Sequence, residues 1–342
     1  MADGNARLRP GYTVVAHGPD SVELRTGLWR ATTLTLVDDD RTGALFRLVK
    51  GLDGTVSPDG LARREGVPPD VVAALVRDLA AAGAIEEHPS SALDLYLEEV
   101  ALTTDFRHEP RVRPVLLLGD PALTEPIGAA VEEALAGRSA GVHRADDATW
   151  KAITGATPSA FHDSVNLAEL TGSLERWRGS FAIFAETAPN PLRYQAWNRV
   201  ALELDIPWLH ATVDGPFAFV GPTVLPGRSA CYECLERRLL DGLRERAGYL
   251  KYKDALAEGA VSGVPAPVLA PVRTLLAGHA ALHAVDLLLT GTSFTLDKVL
   301  SVHAPTSEIA YHDVLRHPGC PGCAPQPGRD GAALYTDPRA EG

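Results

Sequence analysis

Two short cysteine motifs constrain this chain more than any other feature of its sequence. Cys-Tyr-Glu-Cys places two residues between Cys231 and Cys234, and Cys-Pro-Gly-Cys does the same for Cys320 and Cys323. These are the four cysteines of the 342-residue chain. Two intervening residues let both sulfurs of a pair face one centre from a tight turn, and two such pairs complete a tetrahedral four-cysteine site with no open coordination position. The chain must therefore fold so that both turns meet.

The cellular context that the sequence predicts favours a metal over disulfides. The N-terminal stretch lacks the apolar core of a signal peptide, and no apolar run reaches the roughly 18 residues of a membrane helix. We therefore expect a cytoplasmic protein with no membrane segment, where reducing conditions disfavour structural disulfides. Structural zinc is the favoured interpretation. Two redox-active dithiols are the alternative, for which a thioredoxin-like context is missing, and spacing alone does not separate zinc from iron.

The net charge argues against nucleic acid as a partner. The formal net charge is -12 and the pI is near 5.4, whereas phosphate binding needs a basic surface. Hydrophobic residues make up 45% and charged residues 22%, which suits a soluble globular chain. The length allows two to three domains.

Residues 1–88 are predicted to form a small separate domain. Three β-rich stretches, TVVAHG, SVELRTG and TTLTLVDD, are punctuated by glycine and proline and predict an antiparallel sheet. Three helical stretches follow. Ser57 is a plausible N-cap of the second, and the third has an apolar stripe that ends at Gly83. This order is typical of a winged helix-turn-helix, although an acidic third helix argues against DNA as its ligand.

The alternative ligand for such a domain is a peptide. The stretch 32–37 could accept an extended partner strand at the sheet edge, with the helix over 70–82 as the other wall of the groove. Arg30 and Arg77 are candidate charge partners for an acidic peptide. The predicted peptide-binding residues are Arg30, Thr33, Leu34, Thr35, Leu36, Val37, Val71, Ala74, Leu75, Arg77 and Asp78.

The rest of the chain predicts a connector, a large α/β domain and a tail. Residues 89–110 are polar and contain a short helical piece, and residues 326–342 are rich in proline, glycine and polar side chains. Between them, over 111–325, buried strands such as VLLLG and FAIFAE alternate with helical stretches, which predicts a doubly wound sheet. The stretch TLDKVLSVHAPTSEIAYHDVLRH predicts an antiparallel hairpin that delivers the second cysteine pair.

The segments around the cysteines resemble a known family. GPTVLPGRSACYECLERR, the helix APVRTLLAGHAALHAVDLLLTG and the terminal HPGCPGC are similar to the ThiF-like fold of adenylating enzymes. They are closer still to the ThiF-like cyclodehydratase partners of azole-containing ribosomal peptide pathways, including thiopeptides and bacteriocins. The resemblance implies a Rossmann-type doubly wound sheet with a zinc site of four cysteines, preceded by a winged helix-turn-helix that recognises a leader peptide.

The chain departs from this family where the family holds ATP. ThiF-like enzymes place a glycine-rich turn after the first strand, but here LLLGDPALTEPIGAA retains only Gly119 and Gly128. Asp120 and Glu125 would repel a triphosphate. The family's metal-binding aspartate is also absent, with Glu186 as the nearest carboxylate. Adenylation is therefore expected to be lost.

Two further residues match the family's helix. In the stretch FAETAPNPLRYQAWNRV, Arg193 and Asn198 resemble remnants of a helix of the family. The alternative is that Arg193 is a solvated arginine and Asn198 an amide at a helix end. No thiol remains for the sulfur or thioester transfer that some members perform, because the zinc site uses all four.

The resemblance implies a recognition protein that performs no chemistry itself. It would bind the leader of a ribosomally made precursor peptide and present it to a separate YcaO-type cyclodehydratase, which forms azolines with ATP. A homodimer is the expected assembly, because ThiF-like domains commonly pair. Two alternatives stay open: an active ATP-dependent adenylating enzyme, and a winged-helix transcription regulator.

Three other features are possible sites. His279 and His283 are spaced to share one helix face and could bind a metal, but ordinary packing is the commoner case. The acidic run from Asp38 to Asp40 is expected to cap the next helix, with contact to a basic partner as the alternative. Trp29 could line the peptide groove, although packing is the simpler expectation.

Overall fold

The chain divides into two compact units, Met1–Thr103 and Thr104–Gly342. The fold is taken from a computed structural model. It describes residues 5–29, 32–86, 88–103, 112–136, 138, 141–263 and 266–324.

The first unit combines a three-stranded antiparallel sheet, in the order β2-β3-β4, with helices and a short β1-β5 pair. Three predicted strands followed by three helices are therefore present. The β1-β5 pair was not predicted, and the helical piece after residue 89 is α4. The elements in chain order are β1 (Arg7–Leu8), β2 (Tyr12–Gly18), β3 (Ser21–Thr26), β4 (Thr32–Val37), α1 (Leu45–Lys50), α2 (Pro58–Glu65), α3 (Pro69–Ala81), β5 (Ile85–Glu86) and α4 (Ala92–Thr103).

Local sequence signals account for the helices of this unit. The Ser57 hydroxyl accepts a hydrogen bond from the Gly60 N–H, which caps α2 as predicted. On α3, Val72 and Leu79 are buried in the core that also contains Val22 of β3. Burial of this stripe against the sheet stabilises helices that are too short to be stable alone.

β4 forms one edge of the sheet and is paired with β3 on its other side. The Asp38 N–H donates to the Asp20 carbonyl just beyond this ladder, so Asp38 faces β3. Because residues alternate in an antiparallel ladder, Thr33, Thr35 and Val37 direct their N–H and C=O groups away from β3. Among the residues that the structure describes, no strand pairs with this outer edge.

The second unit contains a seven-stranded mixed sheet with helices around it. Its elements in chain order are β6 (Val115–Gly119), α5 (Pro121–Ala134), β7 (Val142–Arg144), α6 (Asp147–Thr154), α7 (Pro158–His162), α8 (Ser164–Leu174), β8 (Phe181–Glu186), α9 (Pro191–Glu203), β9 (Trp208–Asp214), β10 (Phe217–Val224), α10 (Tyr232–Gly242), α11 (Arg246–Ala257), α12 (Ala270–Thr290), β11 (Lys298–His303) and β12 (Glu308–Asp313).

The sheet has the strand order β12-β11-β10-β9-β8-β6-β7. β7, β6, β8 and β9 are parallel, whereas β10, β11 and β12 add antiparallel strands. The predicted mixed α/β architecture is confirmed, including the hairpin of β11 and β12. One strand was missed: the segment before the first cysteine pair forms β10, after a tight turn at Gly215 and Pro216 that pairs Phe217 with Asp214.

The core of this unit lies on both faces of the parallel strands. Every residue of β8 is buried, as a parallel strand covered by helices on both faces requires. α12 passes a length and hydropathy test for a membrane span, with a mean hydropathy of 1.3. It packs against α5, β9 and β10 within the fold, as a core helix does.

The turn after β6 depends on a glycine. Gly119 has φ +110°, and a Cβ there would lie 2.0 Å from the Ala185 carbonyl oxygen of β8. Both the left-handed backbone and the close approach of β8 exclude any other residue. This glycine therefore serves strand packing in the present chain.

Gly119→Ala is expected to destabilise the second unit by more than about 2 kcal/mol, because strain and a backbone collision combine. Gly172→Ala in α8 is the control, since no atom lies within 4 Å of a Cβ added there and its φ is helical. Urea unfolding followed by tryptophan fluorescence measures both variants. Equal stability of the two would contradict this account of the turn.

Candidate functional site

The four cysteine thiols meet at one point of the second unit. Cys231 stands at the N-cap position of α10 and Cys234 in its first turn, while Cys320 and Cys323 lie in the loop after β12. Their sulfur atoms all lie within 4.8 Å of one another, and Cys323 alone is not fully buried. The predicted meeting of the two turns is present, and the cluster could hold a metal ion.

The spacing of the sulfurs fits a tetrahedral thiolate site. The sulfur–sulfur distance is 3.6 Å for Cys231–Cys320, 3.4 Å for Cys234–Cys323 and 3.9 Å for Cys231–Cys234. A Zn–S bond of about 2.3 Å gives sulfur atoms about 3.8 Å apart in a tetrahedron. Hydrogen bonding to Cys234 raises the pKa of Cys231, and hydrogen bonding to Cys231 lowers the pKa of Cys234.

Loops on both sides of the cluster are held by a few polar contacts. The Asp297 carboxylate accepts from the Ala230 N–H, and its carbonyl accepts from the Val314 N–H, both at 2.7 Å. Arg316 donates to the carbonyl oxygens of Gly227 and Cys323. Asp297 and Arg316 each connect the chain segment of the first cysteine pair to that of the second. These hydrogen bonds, and not the cysteines alone, position the two loops.

A buried ion pair lies directly behind the cluster. Arg199 of α9 donates to both carboxylate oxygens of Glu233, at 2.5 and 2.9 Å, and both side chains are almost fully buried. Asn198 donates to the same carboxylate and accepts from the Tyr232 N–H. A Cβ at Gly322 would lie 2.7 Å from Glu233, so the second cysteine turn packs against this pair.

A second buried carboxylate, one turn further along α10, links this helix to α9 and α11. Glu236 accepts from Gln195 of α9 and from Tyr249 and Lys253 of α11. Burial and the nearby Glu236 raise the pKa of the Tyr249 hydroxyl well above its usual range. Neither Glu233 nor Glu236 was predicted from the sequence. Their i, i+3 spacing places them on one face of the helix that carries the first cysteine pair, but two acidic side chains at that spacing also suit a solvated surface.

The carboxyl ends of β6 and β8 form the position where ligands bind in doubly wound sheets. Asp120 caps α5 through the Ala122 N–H, and its second oxygen accepts from the Thr187 hydroxyl. The cap places a carboxylate where a phosphate would bind the helix N-terminus. Of the other residues predicted to matter at this edge, Glu125 is exposed and paired with Arg144, and Gly128 lets α5 approach β6.

The interpretation of Arg193 as a solvated arginine and of Asn198 as a helix-end amide is wrong. Arg193 pairs with Glu186 at 2.7 Å and lies over the Trp150 ring. Asn198 is fully buried in the middle of α9, where it contacts Glu233. Burial raises the pKa of Glu186 despite the arginine beside it. Both side chains therefore make contacts within the fold, Arg193 at this edge and Asn198 beside the cysteine cluster.

Among the described residues, His279 and His283 do not belong to a second group of metal ligands. His283 is buried near Ser293, and burial lowers its pKa to about 4. His279 is partly buried, and burial lowers its pKa as well. Within the described part of the chain, the cysteines are the one cluster with three or more suitable ligands.

The predicted peptide-binding residues divide between two elements of the first unit. Thr33, Thr35 and Val37 are exposed on β4, whereas Leu34 and Leu36 pack towards the core. On α3 the predicted residues are half-buried or exposed, and the helix packs chiefly against α2 and β5. Arg30 lies outside the described residues. The half-buried members on α3 are Val71, Ala74 and Leu75, and the exposed ones are Arg77 and Asp78.

Two neighbouring expectations are corrected by the structure. Trp29 does not pack, because 98% of its surface is exposed. Asp38 does not cap α1, whose N-cap Ala44 has no side-chain hydrogen bond. The carboxylate of Asp38 instead accepts from the N–H and hydroxyl of Thr42, which lowers its pKa and closes the loop after β4.

The fold is shared with two heterocyclase structures. One, solved in complex with substrate and cofactor, is 17% identical over 94% of this chain with a TM-score of 0.60. The heterocyclase TruD is 20% identical over 94% of this chain with a TM-score of 0.59. This chain covers 40% and 43% of those two proteins, so it spans about two fifths of their length.

A lower similarity extends to E. coli MccB with MccA, at 15% identity and a TM-score of 0.47 over 93% of this chain and 99% of that one. No protein-family model and no curated protein matches the sequence. The similarity to the heterocyclases is a similarity of fold.

Cys231→Ser is expected to lower the bound metal well below one ion per chain, because three thiolates and a hydroxyl hold a soft divalent ion poorly. Elemental analysis of the purified variant measures the metal, with the unchanged protein prepared in parallel. Full stoichiometric metal in the variant would contradict a centre built from all four cysteines.

Glu233→Gln is expected to cost about 3–5 kcal/mol of stability, because it leaves Arg199 buried without its charge partner. Glu125→Gln is the matched control. Its ion pair with Arg144 is exposed, so its loss should cost less than about 1 kcal/mol. Chemical unfolding measures both. Recovery in Arg199→Met/Glu233→Gln would attribute the loss to the unpaired charge, and equal stability of the two single variants would refute the role of the pair.

Proposed function

We propose that this protein is a substrate-recognition component of a cyclodehydratase system that acts on a ribosomally made precursor peptide. The first unit would be a winged-helix domain that binds the leader of that peptide as an added strand on β4. The observation that carries the proposal is the free outer edge of β4, where Thr33, Thr35 and Val37 offer backbone groups that no described strand uses. Main-chain hydrogen bonds along such an edge supply affinity, and the side chains beside it supply specificity.

The second unit supports a role without adenylation. At the ligand-binding edge of its sheet, Asp120 occupies the helix N-terminus and Glu186 is paired with Arg193. A triphosphate would meet the Asp120 carboxylate where a nucleotide site needs free N–H groups. Asp120 and Arg193 thus make contacts within the protein, and we propose that the unit acts as a scaffold.

A separate chain would perform the chemistry. Two solved structures that share this fold are heterocyclases. We propose that a YcaO-type cyclodehydratase partner converts Cys, Ser or Thr of the bound peptide into azolines. Binding of the leader would raise the concentration of the core peptide at the partner's active site.

The metal centre would be structural in this scheme. Zinc is the metal that we propose for Cys231, Cys234, Cys320 and Cys323, since four thiolates leave no open position for a substrate. Its contribution would be to tie the loop after β12 to α10. We also propose a homodimer, through pairing of second units.

Titration of the full-length protein with the dye-labelled leader of a precursor encoded beside it tests this function. We expect saturable binding by fluorescence anisotropy and no heat from Mg-ATP in calorimetry. Clear ATP binding with pyrophosphate release, and no response to the leader, would instead identify an adenylating enzyme. Salt-sensitive binding of duplex DNA would identify a regulator.

Thr35→Pro is expected to weaken leader binding at least tenfold, because it removes an outward N–H and leaves the ladder to β3 intact. Thr35→Val is the control at the same position, since it keeps the N–H and removes the hydroxyl. Circular dichroism confirms that both variants fold. Equal affinity of the two would place the peptide elsewhere than on β4.

A further inference from the structure

The two ends of the free β4 edge differ in chemistry. Leu28 and Trp29 follow β3 at one end, with 80% and 98% of their surface exposed. At the other end, Asp39 and Asp40 are exposed beyond Val37. β4 spans about 20 Å between them, since a strand rises about 3.3 Å per residue. A bound strand of roughly seven to eight residues would therefore reach both ends.

The apolar end is not explained by packing within the first unit. Trp29 and Leu28 are outside the buried core that Val22 and Leu24 form with the helices. An exposed tryptophan next in sequence to an exposed leucine gives an apolar surface between β3 and β4 in the chain. Tryptophan in such a position is the residue type that most often anchors a binding partner.

The direction of an added strand follows from the sheet itself. β2, β3 and β4 pair antiparallel throughout, and antiparallel pairing is slightly more stable per residue than parallel pairing. An antiparallel strand on β4 would place its N-terminal end beside Asp39 and Asp40. Its C-terminal end would lie beside Leu28 and Trp29.

Resting on the proposed function, we propose that β4 selects a peptide strand with Lys or Arg at its N-terminal end and a large apolar side chain at its C-terminal end. Trp29 and Leu28 bury the apolar side chain, and the carboxylates of Asp39 and Asp40 attract the basic one. This specificity differs from the acidic leader, paired with Arg30 and Arg77, that the family resemblance implies. The carboxylates orient the strand, and the edge of β4 binds it.

Three synthetic peptides of about ten residues test the proposal on the full-length protein by fluorescence anisotropy. All share a Thr-Val repeat in the middle. The first carries Lys-Lys at its N-terminus and Leu-Phe at its C-terminus, the second has these ends exchanged, and the third has Glu-Glu in place of Lys-Lys. We expect the first to bind about tenfold more tightly than either of the others, with a difference that shrinks as salt rises.

Substitutions with matched controls test which residues of the protein contact each end of the peptide. Trp29→Ala is expected to weaken binding of the first peptide about tenfold, whereas Leu269→Ala, at an exposed leucine of the second unit, leaves it unchanged. Asp39→Asn/Asp40→Asn removes the advantage of the Lys-Lys peptide over the Glu-Glu peptide. The control Asp214→Asn/Asp254→Asn, at exposed carboxylates of the second unit, retains it.

The outcomes separate this inference from the proposed function. Equal binding of the three peptides, or tighter binding of the exchanged or Glu-Glu peptide, overturns the specificity while strand addition on β4 stands. Failure of all three, with binding of the natural leader that Thr35→Pro abolishes, also overturns the specificity alone. Failure of both the synthetic peptides and the natural leader overturns the proposed function itself.

Discussion

Convergence of four thiols within 4.8 Å is the constraint on which the second unit depends. Two thiols lie on α10 and two in a loop that the chain reaches only after α11, α12 and the β11-β12 hairpin. Four thiolates in a closed site suit a metal ion, which would balance their charge. Arg199 and Glu233 link the cluster to α9, so a metal ion held there would be coupled to the packing of the core.

Packing also shapes the edge of the sheet at the carboxyl ends of β6 and β8. Asp120 caps α5, Arg193 neutralises Glu186, and Gly119 is required for the approach of β8 to β6. Asp120 and Arg193 therefore both have partners within the protein. In the first unit, the outer edge of β4 is used by no strand among the described residues, and Trp29 is exposed, which is why we propose that recognition lies there.

Much of the architecture was predictable because its signals are local. The Ser57 cap, the apolar stripe of α3 and the buried strands β6 and β8 each follow from spacing within one segment. The mixed sheet follows from their alternation. β10 was missed because a segment rich in glycine and proline is typical of a loop, and its strand conformation depends on β9 and β11 beside it. The peptide groove and the identity of the metal remain predictions.

The sequence by itself determined that four cysteines in two equal turns meet and that strands and helices alternate in the second unit. That a phosphate-binding turn is degenerate and that an acidic chain disfavours nucleic acid stay predictions. These conclusions depend on residue types and short spacings. Only the tertiary structure decided that Glu233 forms an ion pair with Arg199, that Asp120 caps the N-terminus of α5, and that Trp29 is exposed. Partners of buried charges and the exposure of apolar side chains depend on contacts between segments far apart in the chain, which no local pattern encodes.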